Sequence, residues 1–148
     1  MKRIVLPFIL CVLVVWTGCK KQPQFAEPNF ILQKWAQGIE KLDYRIYAAC
    51  EAYPKSEPVF REMYGSYYLI DLMTTEVEEV KGDNVRKDQK GNSYLHRSVS
   101  FEGTIMDRQS RQPKGVMRGN AVFIRFVEGE RKNDGWLMSN RMLIPVER

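Results

Sequence analysis

Apolar residues recur at steps of three and four through Ile31, Trp35, Ile39, Leu42, Ile46, Ala49, Cys50 and Tyr53, the spacing of a single helix face. Lys34, Gln37, Lys41 and Arg45 fall off that stripe and supply the wet side of an amphipathic helix. Pro28 and Asn29 offer start signals, Pro54 ends the run, and Gly38 weakens it by about 1 kcal/mol relative to alanine. The pattern therefore predicts one long helix of roughly 25 residues. Ser56 as cap, Pro58 in the first turn, Val59, Phe60 and Met63 on one side and Gly65 as a stop predict a second, shorter helix.

After Gly65 the period changes. Tyr67 to Val80 is rich in β-branched and aromatic residues and reads as a strand, although it is apolar on both alternations before Thr74. Tyr94 to Met106 alternates better, with Leu95, Val99, Phe101 and Ile105 on one face and His96, Ser98, Ser100, Glu102 and Thr104 on the other. Val116 to Val127 and Trp136 to Val146 complete the set, the last with Trp136, Met138, Met142, Ile144 and Val146 on one parity. Turn-like segments join them: Gly82 to Asn92, Gln109 to Gly115 and Glu128 to Gly135. The expected fold class is α+β, a long N-terminal helix packed on a four-stranded antiparallel meander.

That element order over residues 28 to 146 resembles the cystatin-like group, including the nuclear-transport-factor-two-like proteins. The resemblance implies a roll with a pocket between helix and sheet, and supplies no function.

The chain opens differently. Lys2 and Arg3 precede an apolar run from Ile4 to Trp16 interrupted by Pro7, and Thr17-Gly18-Cys19 follows. A charged start, a short apolar stretch and a small residue before the cut are the regions of a secretory signal. As a helix, the 13-residue run would rise about 20 Å, short of a hydrocarbon core about 30 Å thick. Thr17-Gly18-Cys19 resembles the lipobox of bacterial lipoproteins, with Trp16 where that family favours leucine. The resemblance implies cleavage before Cys19 and attachment of diacylglycerol and a further acyl chain such as palmitate there. It also implies retention in the cell envelope and, because Lys20 rather than Asp follows, placement at the periplasmic face of the outer membrane in a diderm host. Lipid chains in this number hold a membrane firmly, where one would not. The expected organisation is a signal peptide at 1–18, a lipidated cysteine and tether at 19–27, and one domain at 28–148.

Composition narrows the chemistry. Without Lys2 and Arg3, basic residues fall from 23 to 21 against 18 acidic ones, and the net charge from +5 to +3. So mild an excess argues against a nucleic-acid partner. A single histidine, with three cysteines of which the resemblance would place Cys11 in the signal and lipid on Cys19, gives no basis for a metal site or another cofactor. Cys50, on the apolar stripe, reads as a small core residue.

The candidates that remain are few. His96 and Asp71 are the acid and base of an enzymatic alternative, a small hydrolase or isomerase working in the helix-sheet pocket, with Glu102 as another orienting carboxylate. Arg108, Arg111, Lys114 and Arg118 form a cationic hairpin suited to an anionic lipid, a glycan or an acidic envelope protein. No nucleophile elbow or phosphate loop is present. The reading is a lipid-anchored envelope protein with a non-catalytic binding or interaction domain; a structural component of an envelope complex is the third possibility.

Overall fold

The computed structural model describes residues 25–78 and 85–146. The expected signal peptide, Cys19 and most of the expected tether lie outside the described residues. Among those described, three helices precede a five-stranded antiparallel sheet: α1 (Pro28–Glu40), α2 (Tyr44–Cys50), α3 (Glu57–Tyr64), β1 (Tyr67–Glu78), β2 (Arg86–Lys87), β3 (Ser93–Asp107), β4 (Pro113–Phe126) and β5 (Leu137–Val146). The α+β class is as expected. The sheet runs β1-β3-β4-β5, and β2 is a two-residue ribbon against the start of β3.

The single long helix is broken in two. Lys41 caps α1, and Leu42 adopts a left-handed φ of 51°. The Leu42 N–H then donates to the Ile39 carbonyl and the Asp43 N–H to that of Gly38, the pairing of a Schellman stop. Asp43 at once restarts the helix, its carboxylate accepting from the N–H groups of Arg45 and Ile46 at 2.9 and 3.2 Å. The apolar stripe continues across the break because both halves face the same sheet. Gly38 is less a weak point than a requirement, since a Cβ there would stand 2.8 Å from the backbone nitrogen of Tyr47. Its absence lets α2 fold back against α1.

The helices cover one face of the sheet. Leu32, Trp35 and Ile39 of α1, Tyr47 and Cys50 of α2, and Phe60 and Tyr64 of α3 pack with Leu69, Val99, Phe101, Ala121, Phe123 and Met138 in one core. Strand register explains which residues face inward: Val99 lies opposite Ala121 and Phe101 opposite Gly119. The Phe101 ring occupies the space above Gly119, where a Cβ would fall 2.4 Å from its Cζ. Phe25, at the end of the expected tether, also packs against this core, and Glu27 pairs with Arg97.

Two of the register shifts in the sheet change which residues face the core. In β1 the register shifts between Ile70 and Met73, so that Leu69 and Leu72 are both buried and Asp71, at φ 52°, turns outward. That resolves the run that looked apolar on both alternations. In β5 the shift falls opposite Val122 and Phe123, which face Asn140 and Met138 and leave Ser139 as the extra residue. Beyond it the parity reverses. Met142 and Ile144, expected to share a face with Met138, are exposed, while Arg141 lies opposite buried Ala121. A bulge of this kind commonly re-aims a side chain beside a site.

Candidate functional site

Arg141 is the side chain so re-aimed. Its guanidinium lies over the Trp35 ring, 5.0 Å from the centroid. Nη1 donates to Glu51 Oε1 at 2.5 Å, and Nε and Nη2 both donate to Tyr64 Oη, at 3.2 and 2.8 Å. Glu51 Oε1 also accepts from Trp35 Nε1 at 3.1 Å. Glu51 ends α2, and the Ala52 N–H beside it donates to the Met138 carbonyl at 2.8 Å. The carboxylate is thereby fixed to the strand that carries its partner.

The pair is nearly dry, with side-chain exposures of 13% for Arg141 and 5% for Glu51. Burial raises the Glu51 carboxyl above its ordinary value, against the opposing pull of Arg141. Burial likewise raises the Tyr64 phenol, which therefore stays neutral. Such a pair is weak ground for a stability role, since well-packed apolar residues commonly serve as well or better. A functional role is the stronger explanation here because the pair borders a cavity.

That cavity, of about 440 Å³, opens between α2, α3 and β5. Tyr47, Glu51, Tyr64 and Arg141 form its deeper part, and Lys55, Tyr67, Asn140 and Leu143 lie among its walls. Tyr47 is fully buried and its hydroxyl has no hydrogen-bond partner among the described residues. A buried polar group left in this state is uncommon in a folded protein.

The residues singled out from sequence lie elsewhere. His96 faces the side of β3 away from the helices, opposite buried Ile124, and its Nδ1 is buried without a hydrogen-bond partner among the described residues. Asp71 sits on the β1 bulge near Gly103 and Thr104, some seven residues along β3. At about 3.3 Å per residue the two are roughly 20 Å apart, and Glu102 is about as far from His96. The structure does not assemble this acid-base pair. Asp71 instead borders a separate cavity of about 450 Å³ with Phe30, Gln33 and Gln37. Among the described residues no group of three His, Cys, Asp or Glu side chains is placed to hold a metal ion.

The four hairpin cations do not act as one patch. Arg108 donates to the carbonyls of Ile39 and Glu40 at 2.6 and 2.8 Å and of Tyr67 and Tyr64 at 3.2 and 3.3 Å. It ties the end of α1 to the start of β1. Lys114 pairs with Asp107 at 2.5 Å and Arg118 with Glu102 at 2.8 Å. Arg111 is exposed, at the left-handed turn position with φ 56°.

Sequence reasoning passed over Glu51 and Arg141 entirely. One signal was available for Arg141: Met142-Leu143-Ile144 is apolar on both alternations, as a change of parity in β5 would produce.

Neither a protein-family model nor a curated protein matches the chain. Among solved structures it is similar to the crystal structure of the intermembrane space region of the chloroplast protein ARC6, at 9% identity and a TM-score of 0.36, over 83% of this chain and 100% of that one. A likeness this distant bears on neither fold assignment nor function.

Proposed function

We propose that the protein is a lipid-anchored component of a bacterial envelope whose domain is a non-catalytic binding module, with the cavity beside Arg141 as its binding site. The observation that carries the binding reading is the Tyr47 hydroxyl, buried and unpartnered at a cavity that also holds a buried arginine. The non-catalytic reading draws on the separation of His96 from Asp71, and on Arg141 and Glu51 being hydrogen-bonded to each other. The anchoring reading rests on Thr17-Gly18-Cys19 and the charged, apolar start before it. Lys20 supports placement at the periplasmic face of an outer membrane. The order of helices before an antiparallel sheet supports a cystatin-like roll.

Two experiments test these readings separately. Metabolic labelling with a palmitate analogue is expected to mark the wild-type protein and not Cys19→Ala; equal labelling removes the anchor. Native mass spectrometry of protein purified from its own envelope is expected to show a small-molecule adduct that is lost in Leu143→Trp, which fills the cavity. Identical spectra for the two proteins remove the pocket.

A further inference from the structure

Not every polar group at the deep end of the cavity has a hydrogen-bond partner. A guanidinium has five N–H bonds. Three of those of Arg141 go to Glu51 and Tyr64, and a fourth faces Met138 Sδ at 3.5 Å. One remains on Nη2. Tyr64 Oη accepts twice from the guanidinium, which turns its own O–H away from that group. Tyr47 Oη makes no hydrogen bond among the described residues, although the Arg141 guanidinium stands beside it. Glu51 Oε1 is already shared by Trp35 and Arg141. The Tyr47 hydroxyl and one Arg141 N–H thus make no hydrogen bond at the deep end, and a buried donor without an acceptor is costly.

Charge sets the kind of acceptor. Arg141 and Lys55 border the cavity against the single carboxylate of Glu51, leaving one net positive charge. A monoanion balances it, whereas a dianion would meet Glu51 with charge to spare. Size and lining set the remainder. About 440 Å³, with Met63, Tyr67 and Leu143 among the walls, suits a body of one ring or a short chain with an apolar face.

Resting on the pocket reading above, we propose that the cavity binds a small monocarboxylate, its carboxylate oxygens taking the Tyr47 hydroxyl and the remaining Arg141 N–H and its apolar body lying against Tyr67 and Leu143. Glu51 is then a positioning residue that holds the guanidinium in place. The Ser139 bulge gives the site its cation, because without the parity change Arg141 would point away from the helices.

Calorimetric titration of the full chain in detergent with phenylacetate, its neutral amide phenylacetamide, and phenyl phosphate tests this. Phenylacetate is expected to bind at least tenfold more tightly than phenylacetamide. Tyr47→Phe removes a hydroxyl that makes no hydrogen bond among the described residues, so it should weaken phenylacetate about tenfold or more while leaving the melting temperature nearly unchanged. Equal affinity for acid and amide overturns the carboxylate assignment while leaving the pocket reading standing. Tighter binding of phenyl phosphate overturns the monoanion. No detectable binding of any of the three overturns this inference, and the native mass spectra then judge the pocket reading on their own.

Discussion

Arg141 Nη1 and Glu51 Oε1 meet at 2.5 Å although 90 residues separate them in sequence. Their union depends on two local events, the end of α2 at Cys50 and the extra residue Ser139 in β5. Removing one partner leaves the other charge buried without compensation. Glu51→Ala is therefore expected to cost about 3–5 kcal/mol, whereas Glu51→Leu combined with Arg141→Met should be neutral or stabilising by about 1–4 kcal/mol. Urea unfolding of both variants beside wild type checks this. A double variant as unstable as the single one would mean that the pair holds the fold rather than serving the cavity.

Arg108 and Arg111 are indistinguishable by charge and differ entirely in environment. Arg108 donates to four backbone carbonyls and lies 5.2 Å from the Tyr68 ring centroid. Arg111 is exposed. Arg108→Ala is expected to lose about 1.5–3 kcal/mol, since hydrogen bonds from charged donors are the strong ones, while Arg111→Ala stays within about 0.5 kcal/mol of wild type. Thermal unfolding monitored by circular dichroism checks this, and equal small losses for the two variants would mean that the hairpin is a uniform solvated patch.

The same contrast explains what could be read in the sequence and what could not. The four long strands announced themselves because half-buried strands alternate with a period of two, and the helices because Trp35, Ile39 and Ile46 recur at helical steps. A stop at Leu42 leaves no trace in that stripe. Leucine in a left-handed conformation is disfavoured by about 1–2 kcal/mol, so local propensity points the wrong way and tertiary packing of Gly38 on α2 decides. The Ser139 bulge was equally hidden, because one inserted residue changes every later parity without changing composition. The candidate site depends on both events. His96 and Asp71 stood out in sequence because their chemistry is distinctive, yet nothing in one-dimensional spacing reveals a separation of seven residues along a sheet.

Asp107 gives a dependence on pH with a definite sign. Lys114, and then the N–H and hydroxyl of Ser110, hold its carboxyl well below the ordinary 3.8. A carboxylate depressed in the folded state adds stability above its unfolded value and loses it as pH falls. Its contribution should be whole at neutral pH and decline progressively below about pH 4. Asp107→Asn is accordingly expected to unfold at a lower urea concentration than wild type at pH 6, with the gap narrowing toward pH 2. A gap independent of pH would show that the turn geometry, rather than the ionised pair, supplies the stability.

Cys50 occupies the apolar stripe at the end of α2 and is fully buried. Burial pushes its thiol up to about 11, with the pull of Lys34 too small to offset it. The thiolate is the reactive form, so at pH 8 the fraction available is about one part in a thousand, and closed packing blocks reagents from reaching it. Alkylation with iodoacetamide, followed at the Cys50 peptide by mass mapping, should therefore be negligible in the folded protein and rapid in urea. The rate in mild denaturant should track the unfolded population measured by circular dichroism. Fast native labelling would instead require α2 to open locally beside Glu51, and it would then be expected to fall when phenylacetate fills the cavity.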